Sequence, residues 1–120
     1  MRRQKEKKPK AFCPFCKAAI PKPALSPATP SRRFPGGCCA CGVIFVSDLT
    51  GKNGGEALVE AVTRLCNDDL DAAWSLEEGE DYTVKIMSYE SRTHCFNKRG
   101  HYKDGMARLY FVKRHEETDP

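Results

Sequence analysis

Cysteine is the residue type in this chain whose spacing points most directly to a chemical role. Cys13 and Cys16 are separated by two residues in "CPFC", and Cys38 and Cys41 have the same spacing in "CCACG". A C-x-x-C turn directs both thiolates at one ion while backbone N–H groups bond the sulfurs. Two such turns supply the four tetrahedral ligands that Zn²⁺ prefers. The spacing therefore predicts a structural zinc site at Cys13, Cys16, Cys38 and Cys41.

The alternative for these cysteines is a disulfide or redox cluster, since "CPFC" in isolation is also typical of thioredoxin-type motifs. Such a motif needs a following helix, which Pro21 and Pro23 disfavour. The chain has seven cysteines, an odd number that cannot pair completely. The basic start "MRRQKEKKPK" leads into cysteines, lysines and prolines rather than an apolar export segment. We therefore expect a cytoplasmic, reducing location and metal ligation.

Two further features surround the cysteine pairs. Gly42 follows the second pair, where a positive φ is often needed, whereas Lys17 holds that position after the first. Cys39 could replace Cys38 only through a C-x-C spacing, which fits the turn less well, so we assign it as a free thiol beside the site. With these pairs, residues 11–47 resemble the zinc ribbon family. The resemblance implies a small zinc-held ribbon but no single function, because ribbons serve in many kinds of protein.

The elements around the site follow from local patterns. Five prolines between the cysteine pairs predict an extended loop with a short strand at 32–34, and "VIFV" predicts a strand after the second pair. Helical spacing predicts a helix over 56–66. A second helix, capped by Asn67 or Asp68, would bury Leu70, Ala73 and Trp74 and end at Gly79. Residues 82–94 and 106–114 read as strands of a long antiparallel hairpin.

These elements predict an α+β protein. Its units would be a disordered basic arm (1–10), a zinc ribbon (11–47), a helix pair plus β-hairpin packed as one unit (48–115) and a frayed tail (116–120). No apolar run is long enough to cross a membrane.

Charge divides the chain sharply. The first ten residues hold six Lys or Arg against one Glu. Since the whole chain has a net charge of +4, the other 110 residues have a net charge of about −1. The stretch "NDDLDAAWSLEEGED" has seven acids and no base, whereas "RTHCFNKRGHYK" has four Lys or Arg and no acid. The basic stretch combines cations for phosphates with rings on which bases can stack. It predicts an RNA or DNA site, aided by the N-terminal arm, at Arg92, Phe96, Lys98, Arg99, Tyr102 and Lys103.

Two other functions compete with nucleic-acid binding. A zinc-dependent adaptor that docks on a protein partner would show an exposed apolar patch around Trp74 or Phe45. We expect no enzyme, because no nucleophile with a base and no phosphate-binding loop is evident, and a four-cysteine zinc has no open position. His94, Cys95 and His101 could form a second metal site or a thiol–imidazole pair, but a basic hairpin tip is the simpler interpretation. Cys66 reads as a small buried hydrophobe.

Overall fold

Five antiparallel strands form the central sheet of the described residues, 10–29, 32–96 and 107–115, in a computed structural model. The elements, in chain order, are β1 Gly36–Cys38, β2 Ile44–Asp48, α1 Gly54–Leu65, α2 Leu70–Trp74, β3 Tyr82–Glu90, β4 Cys95–Phe96 and β5 Ala107–Arg114. The order across the sheet is β1-β2-β5-β3-β4. The two helices follow β2 in the chain, and the mixed α+β class is confirmed.

The β5 strand lies at the centre of the sheet. It pairs with β3 over eight residues, from Tyr82↔Arg114 to Tyr89↔Ala107, and with β2 over five. The strands β3 and β5 were predicted from their β-branched and aromatic residues. Residues 97–106, which join β4 to β5 and include most of the predicted hairpin tip, lie outside the described residues, as do residues 1–9 and 116–120.

Alternation along the strands gives the sheet two apolar faces. Phe45, paired with Phe111, belongs to a core cluster that also holds Cys13 and Cys39, and we name this side the cysteine face. Val46, paired with Tyr110, belongs to a second cluster with residues of α1, on the helix face. Successive side chains of a strand point to opposite faces, so each strand contributes to both cores.

The β1 strand begins later than the sequence predicts. Residues 32–34 are not a strand, and the strand is formed instead by Gly36, Gly37 and Cys38. A Cβ at Gly36 would contact the Arg64 guanidinium on the helix face. A Cβ at Gly37 would lie 2.8 Å from Cζ of Phe45 on the cysteine face. Glycines are required here because α1 and the Phe45 ring approach the strand closely.

The α1 helix buries Ala57, Ala61 and Val62 against the sheet, and Cys66 just beyond it is buried in the same cluster, as predicted. The second helix differs more from the prediction. Asn67 and Asp68 have φ of 58° and 65°, a conformation that Asn and Asp tolerate, and link the two helices. No helix among the described residues is long and apolar enough to cross a membrane.

The cap of α2 lies one residue beyond the predicted positions. The Asp69 side chain accepts a hydrogen bond from the Ala72 N–H at 3.2 Å. Because α2 has only five residues, Ala73 alone among its side chains is buried. Leu70 and Trp74, predicted to be buried, are exposed.

Candidate metal centre

The first cysteine loop, residues 12–19, is a tight turn that carries Cys13 and Cys16. The Cys13 N–H donates to the Ala18 carbonyl at 2.8 Å, and the Lys17 N–H donates to the Cys13 carbonyl at 2.7 Å. Lys17 has φ of 71°, the left-handed conformation anticipated at this position. The loop therefore holds its two cysteines on one side of a closed turn.

The second cysteine loop, residues 38–43, joins β1 to β2. The Cys39 N–H donates to the Val43 carbonyl at 2.8 Å, and the Gly42 N–H donates to the Cys39 carbonyl at 2.9 Å. Gly42 has φ of 98°, and a Cβ there would meet no heavy atom within 4 Å. Glycine is favoured here by backbone conformation alone, since space is not limiting.

The two loops bring four sulfurs together. The Sγ atoms of Cys13, Cys16, Cys39 and Cys41 all lie within 4.8 Å of one another. Cys13 Sγ is 3.7 Å from Cys41 Sγ, and Cys16 Sγ is 3.5 Å from Cys39 Sγ. A disulfide would need about 2.05 Å. Four thiolates at ~2.3 Å from one tetrahedral ion are about 3.8 Å apart, which these separations approach.

The cluster contains Cys39 where the sequence predicts Cys38. Cys38 is the last residue of β1 and pairs with Ile44 of β2. Its neighbours in the chain face the other side, Gly37 opposite Phe45 and Cys39 in the same core cluster as Val43. Alternation therefore places Cys39, which is 6% exposed, on the cysteine face beside the first loop. Cys38 is on the opposite face and exposed. The physical reason for the correction is strand parity, which outweighs the C-x-x-C spacing.

The thiols of the cluster perturb one another. The Ala18 backbone and the Cys39 side chain, through hydrogen bonds, lower the pKa of exposed Cys16 to about 7. The Cys41 backbone lowers the pKa of Cys39, but burial and the thiols of Cys16 and Cys41 together raise it to about 12. Burial also raises the pKa of Cys13. Four thiolates could share this space only with a cation between them, and a divalent metal would supply that charge.

Hydrogen bonds fix the first loop to the sheet. The His94 Nε2 lies 2.8 Å from the Ile20 carbonyl, which can only accept, so Nε2 carries the proton. The Nδ1 atom then accepts from the Tyr89 hydroxyl at 2.7 Å. The Ala11 N–H donates to the His94 carbonyl at 2.9 Å. With both ring nitrogens engaged, His94 positions the loop and has none left for a metal.

Phenylalanine packing completes this attachment. Phe12 meets the Phe96 ring edge-on, with 5.1 Å between centroids. The Phe15 ring lies 4.7 Å from the Lys85 ammonium and 5.7 Å from that of Lys113. The cysteine cluster is thus attached to β3, β4 and β5 as well as to its own loops.

The predicted nucleic-acid residues are not brought together by the described part of the chain. Phe96 is 4% exposed and packs on Phe12 and Phe111, so its ring has no free face for a base. This corrects the stacking role assigned to it. Arg92 is exposed. Four of the predicted residues lie outside the described residues, together with His101: Lys98, Arg99, Tyr102 and Lys103.

Comparison with known proteins adds no assignment: no family model, curated protein or solved structure matches this chain. The zinc ribbon resemblance therefore has no family match behind it, and the four-cysteine cluster stands on geometry. That cluster is compatible with a metal ion held by four sulfurs. The site residue that sequence reasoning missed, Cys39, could have been found from the alternation in "GGCCACGVIFV" once β1 was placed.

Proposed function

We propose that this protein is a small adaptor domain in which Cys13, Cys16, Cys39 and Cys41 hold a structural Zn²⁺ and the surface around Trp74 binds another protein. The observation that carries the adaptor function is the exposure of Trp74. This side chain is 69% exposed although tryptophan is a large, mostly apolar residue. Phe45, the other residue considered for such a patch, is fully buried in the core.

The donor set supports zinc and a structural role. Soft thiolates favour Zn²⁺ over the hard cations that prefer oxygen. Four protein ligands fill a tetrahedral shell, so the ion has no open position for a substrate. This supports our expectation that the protein is not an enzyme.

Elemental analysis of the purified protein tests the metal. We expect one zinc ion per chain that survives dialysis and is released by a strong chelator. Iron in place of zinc would contradict the metal assigned, and disulfides between these sulfurs, detected by mass spectrometry, would contradict the site itself.

Site-specific photocrosslinking in the native host tests the adaptor. Leu70, exposed beside Trp74, is replaced by benzoylphenylalanine, and Ile86, exposed on β3, carries the same group in the control. We expect discrete protein adducts at position 70 and not at position 86. Equal adducts at both positions, or none at 70, would contradict the adaptor function.

Nucleic-acid binding is the competing function, and a binding assay with single strands tests it. Salt-sensitive binding of single-stranded RNA or DNA, unchanged by replacement of Leu70, would favour the basic tip and arm over the Trp74 surface.

A further inference from the structure

Two adjoining cavities open between α1 and the segments beside it. The larger, about 680 Å³, lies between α1 and residues 32–34 and extends to Leu70. The smaller, about 130 Å³, lies between α1 and α2 and is lined by Trp74. Val59 lines both, so the two cavities are neighbours, and we name the pair of them the Trp74 groove.

The groove is walled by large apolar side chains that the fold leaves uncovered. Val59, Leu70 and Trp74 are all exposed, and the last two are four residues apart on one side of α2. Ala73 turns to the core instead. Exposed apolar residues next to concave space are typical of a binding surface, because an incoming side chain can be fully enclosed.

Acids outnumber bases in and beside the groove. Residues 67–81 hold seven acids and no base. The two arginines that line the larger cavity are already engaged, Arg32 with Asp68 at 2.9 Å and Arg33 with Glu56 at 3.2 Å. Within the described residues, no Lys or Arg is paired with the acids that follow Asp68 up to residue 81. A partner therefore meets an apolar surface whose lining residue Leu70 is flanked in the chain by Asp69 and Asp71, which no Lys or Arg of the described residues neutralises.

We propose that the Trp74 groove binds a Lys- and Arg-rich protein segment that inserts a large apolar side chain beside Trp74. The inference rests on the proposed adaptor function and names the chemistry of its partner. The apolar anchor is the source of affinity, and the basic residues are the source of orientation and selectivity. The same carboxylates would repel phosphate-bearing nucleic acid.

Trp74 is the only tryptophan of the chain, so its fluorescence reports occupancy of the groove directly. Three synthetic peptides of about 15 residues are titrated into the zinc-loaded full-length protein. The first is amphipathic, with lysines and arginines on one side and leucines on the other. The second replaces its bases with glutamates, and the third replaces its leucines with serines.

We expect only the first peptide to shift Trp74 emission to shorter wavelength, with affinity at least about tenfold above that for either control peptide. The affinity should fall as salt is added. Equal affinities for the basic and acidic peptides, or no spectral shift with the first, would overturn the proposal.

Matched variants localise the site. Leu70→Ser should weaken binding about tenfold, whereas Ile86→Ser, also exposed but lining neither cavity, should leave it unchanged. Equal effects of both changes would overturn the assignment to the groove. Circular dichroism of both variants checks that each retains its fold.

Other occupants give different results. A concentration-dependent Trp74 shift without peptide would identify a second copy of the chain. A red shift on deletion of residues 1–9 would identify the chain's own basic arm. Either result would overturn the proposal that the groove binds a segment of another protein. Crosslinks at position 70 without peptide binding would keep the adaptor function and reject the basic segment.

Discussion

Cys38 and Cys39 are neighbours in the chain but lie on opposite faces of the sheet. We predict that Cys39→Ser abolishes retention of the metal, because a serine hydroxyl is a poor replacement for a thiolate. Cys38→Ser should leave one metal ion per chain, because Cys38 lies outside the cluster. Metal content after dialysis measures both.

The two variants form a matched pair, since each removes one sulfur from adjacent positions. Loss of metal in Cys38→Ser with retention in Cys39→Ser would restore the C-x-x-C assignment. Loss in both would mean that the loop tolerates no change at either residue.

Gly42 illustrates a backbone requirement at a single residue. Its φ of 98° disfavours any side chain, although the space around it is open. We predict that Gly42→Ala lowers the free energy of unfolding by about 1–2 kcal/mol, the cost of a left-handed conformation. Urea denaturation of the metal-loaded protein measures the change.

Gly55 provides the control for that substitution. It also has open space where a Cβ would stand, but it lies in α1 and its φ is not positive. Gly55→Ala should raise the free energy of unfolding by about 0.5–1 kcal/mol, because alanine favours helix. Changes of the same sign in the two variants would contradict the backbone argument.

At the scale of elements, a buried ion pair within α1, Glu60–Arg64, hydrogen-bonds the backbone of the segment before β1. The Arg64 guanidinium donates to the Phe34 carbonyl and to Glu60 at 2.6 Å. The Glu60 carboxylate also accepts the backbone N–H groups of Arg33 and Phe34, at 2.6 and 3.1 Å. One carboxylate therefore pairs with a buried cation and accepts from two backbone donors.

We predict that Glu60→Ala lowers the free energy of unfolding by about 3–5 kcal/mol, because it leaves the Arg64 charge buried without its partner. Arg33→Ala removes the exposed pair with Glu56 and the contact of the guanidinium with the Phe34 ring, 6.0 Å from its centroid, and should cost about 1 kcal/mol or less. Chemical denaturation compares the two. Similar costs would show that the buried link contributes no more than a surface pair.

At the scale of the whole molecule, the metal site shares a core with the sheet. Cys13 and Cys39 belong to the same buried cluster as Leu109 and Phe111 of the central strand β5. Zinc binding contributes on the order of 10 kcal/mol to folding in small zinc domains, comparable with the total stability of ~5–15 kcal/mol of an ordinary domain. The metal should therefore stabilise much more than its own loops.

We predict that chelation of the metal removes hydrogen-exchange protection from β2 and β5 as well as from the cysteine loops, and that added zinc restores it. Exchange measured by mass spectrometry follows each strand. If β5 stayed protected while the loops opened, residues 48–115 would behave as the separate unit predicted from the sequence.

Local signals in the sequence were sufficient for the elements and for the kind of site. Helical spacing located α1 to within two residues at its start, and β-branched runs located β3 and β5. The cysteine pairs indicated a metal cluster, and three of its four members, Cys13, Cys16 and Cys41, were named from spacing. These features depend on neighbours in the chain, which is why the chain alone reveals them.

Only the tertiary structure decided which face each side chain occupies. Cys39 replaced Cys38 because the chain alternates through β1, which places Gly37 and Cys39 on the face of Phe45 and Cys38 on the other face. Phe96 is buried because Phe12, 84 residues earlier in the chain, packs on its ring. Trp74 became surface because α2 is too short to turn more than Ala73 inward. Each outcome depends on contacts between residues distant in sequence, and local periodicity does not encode them.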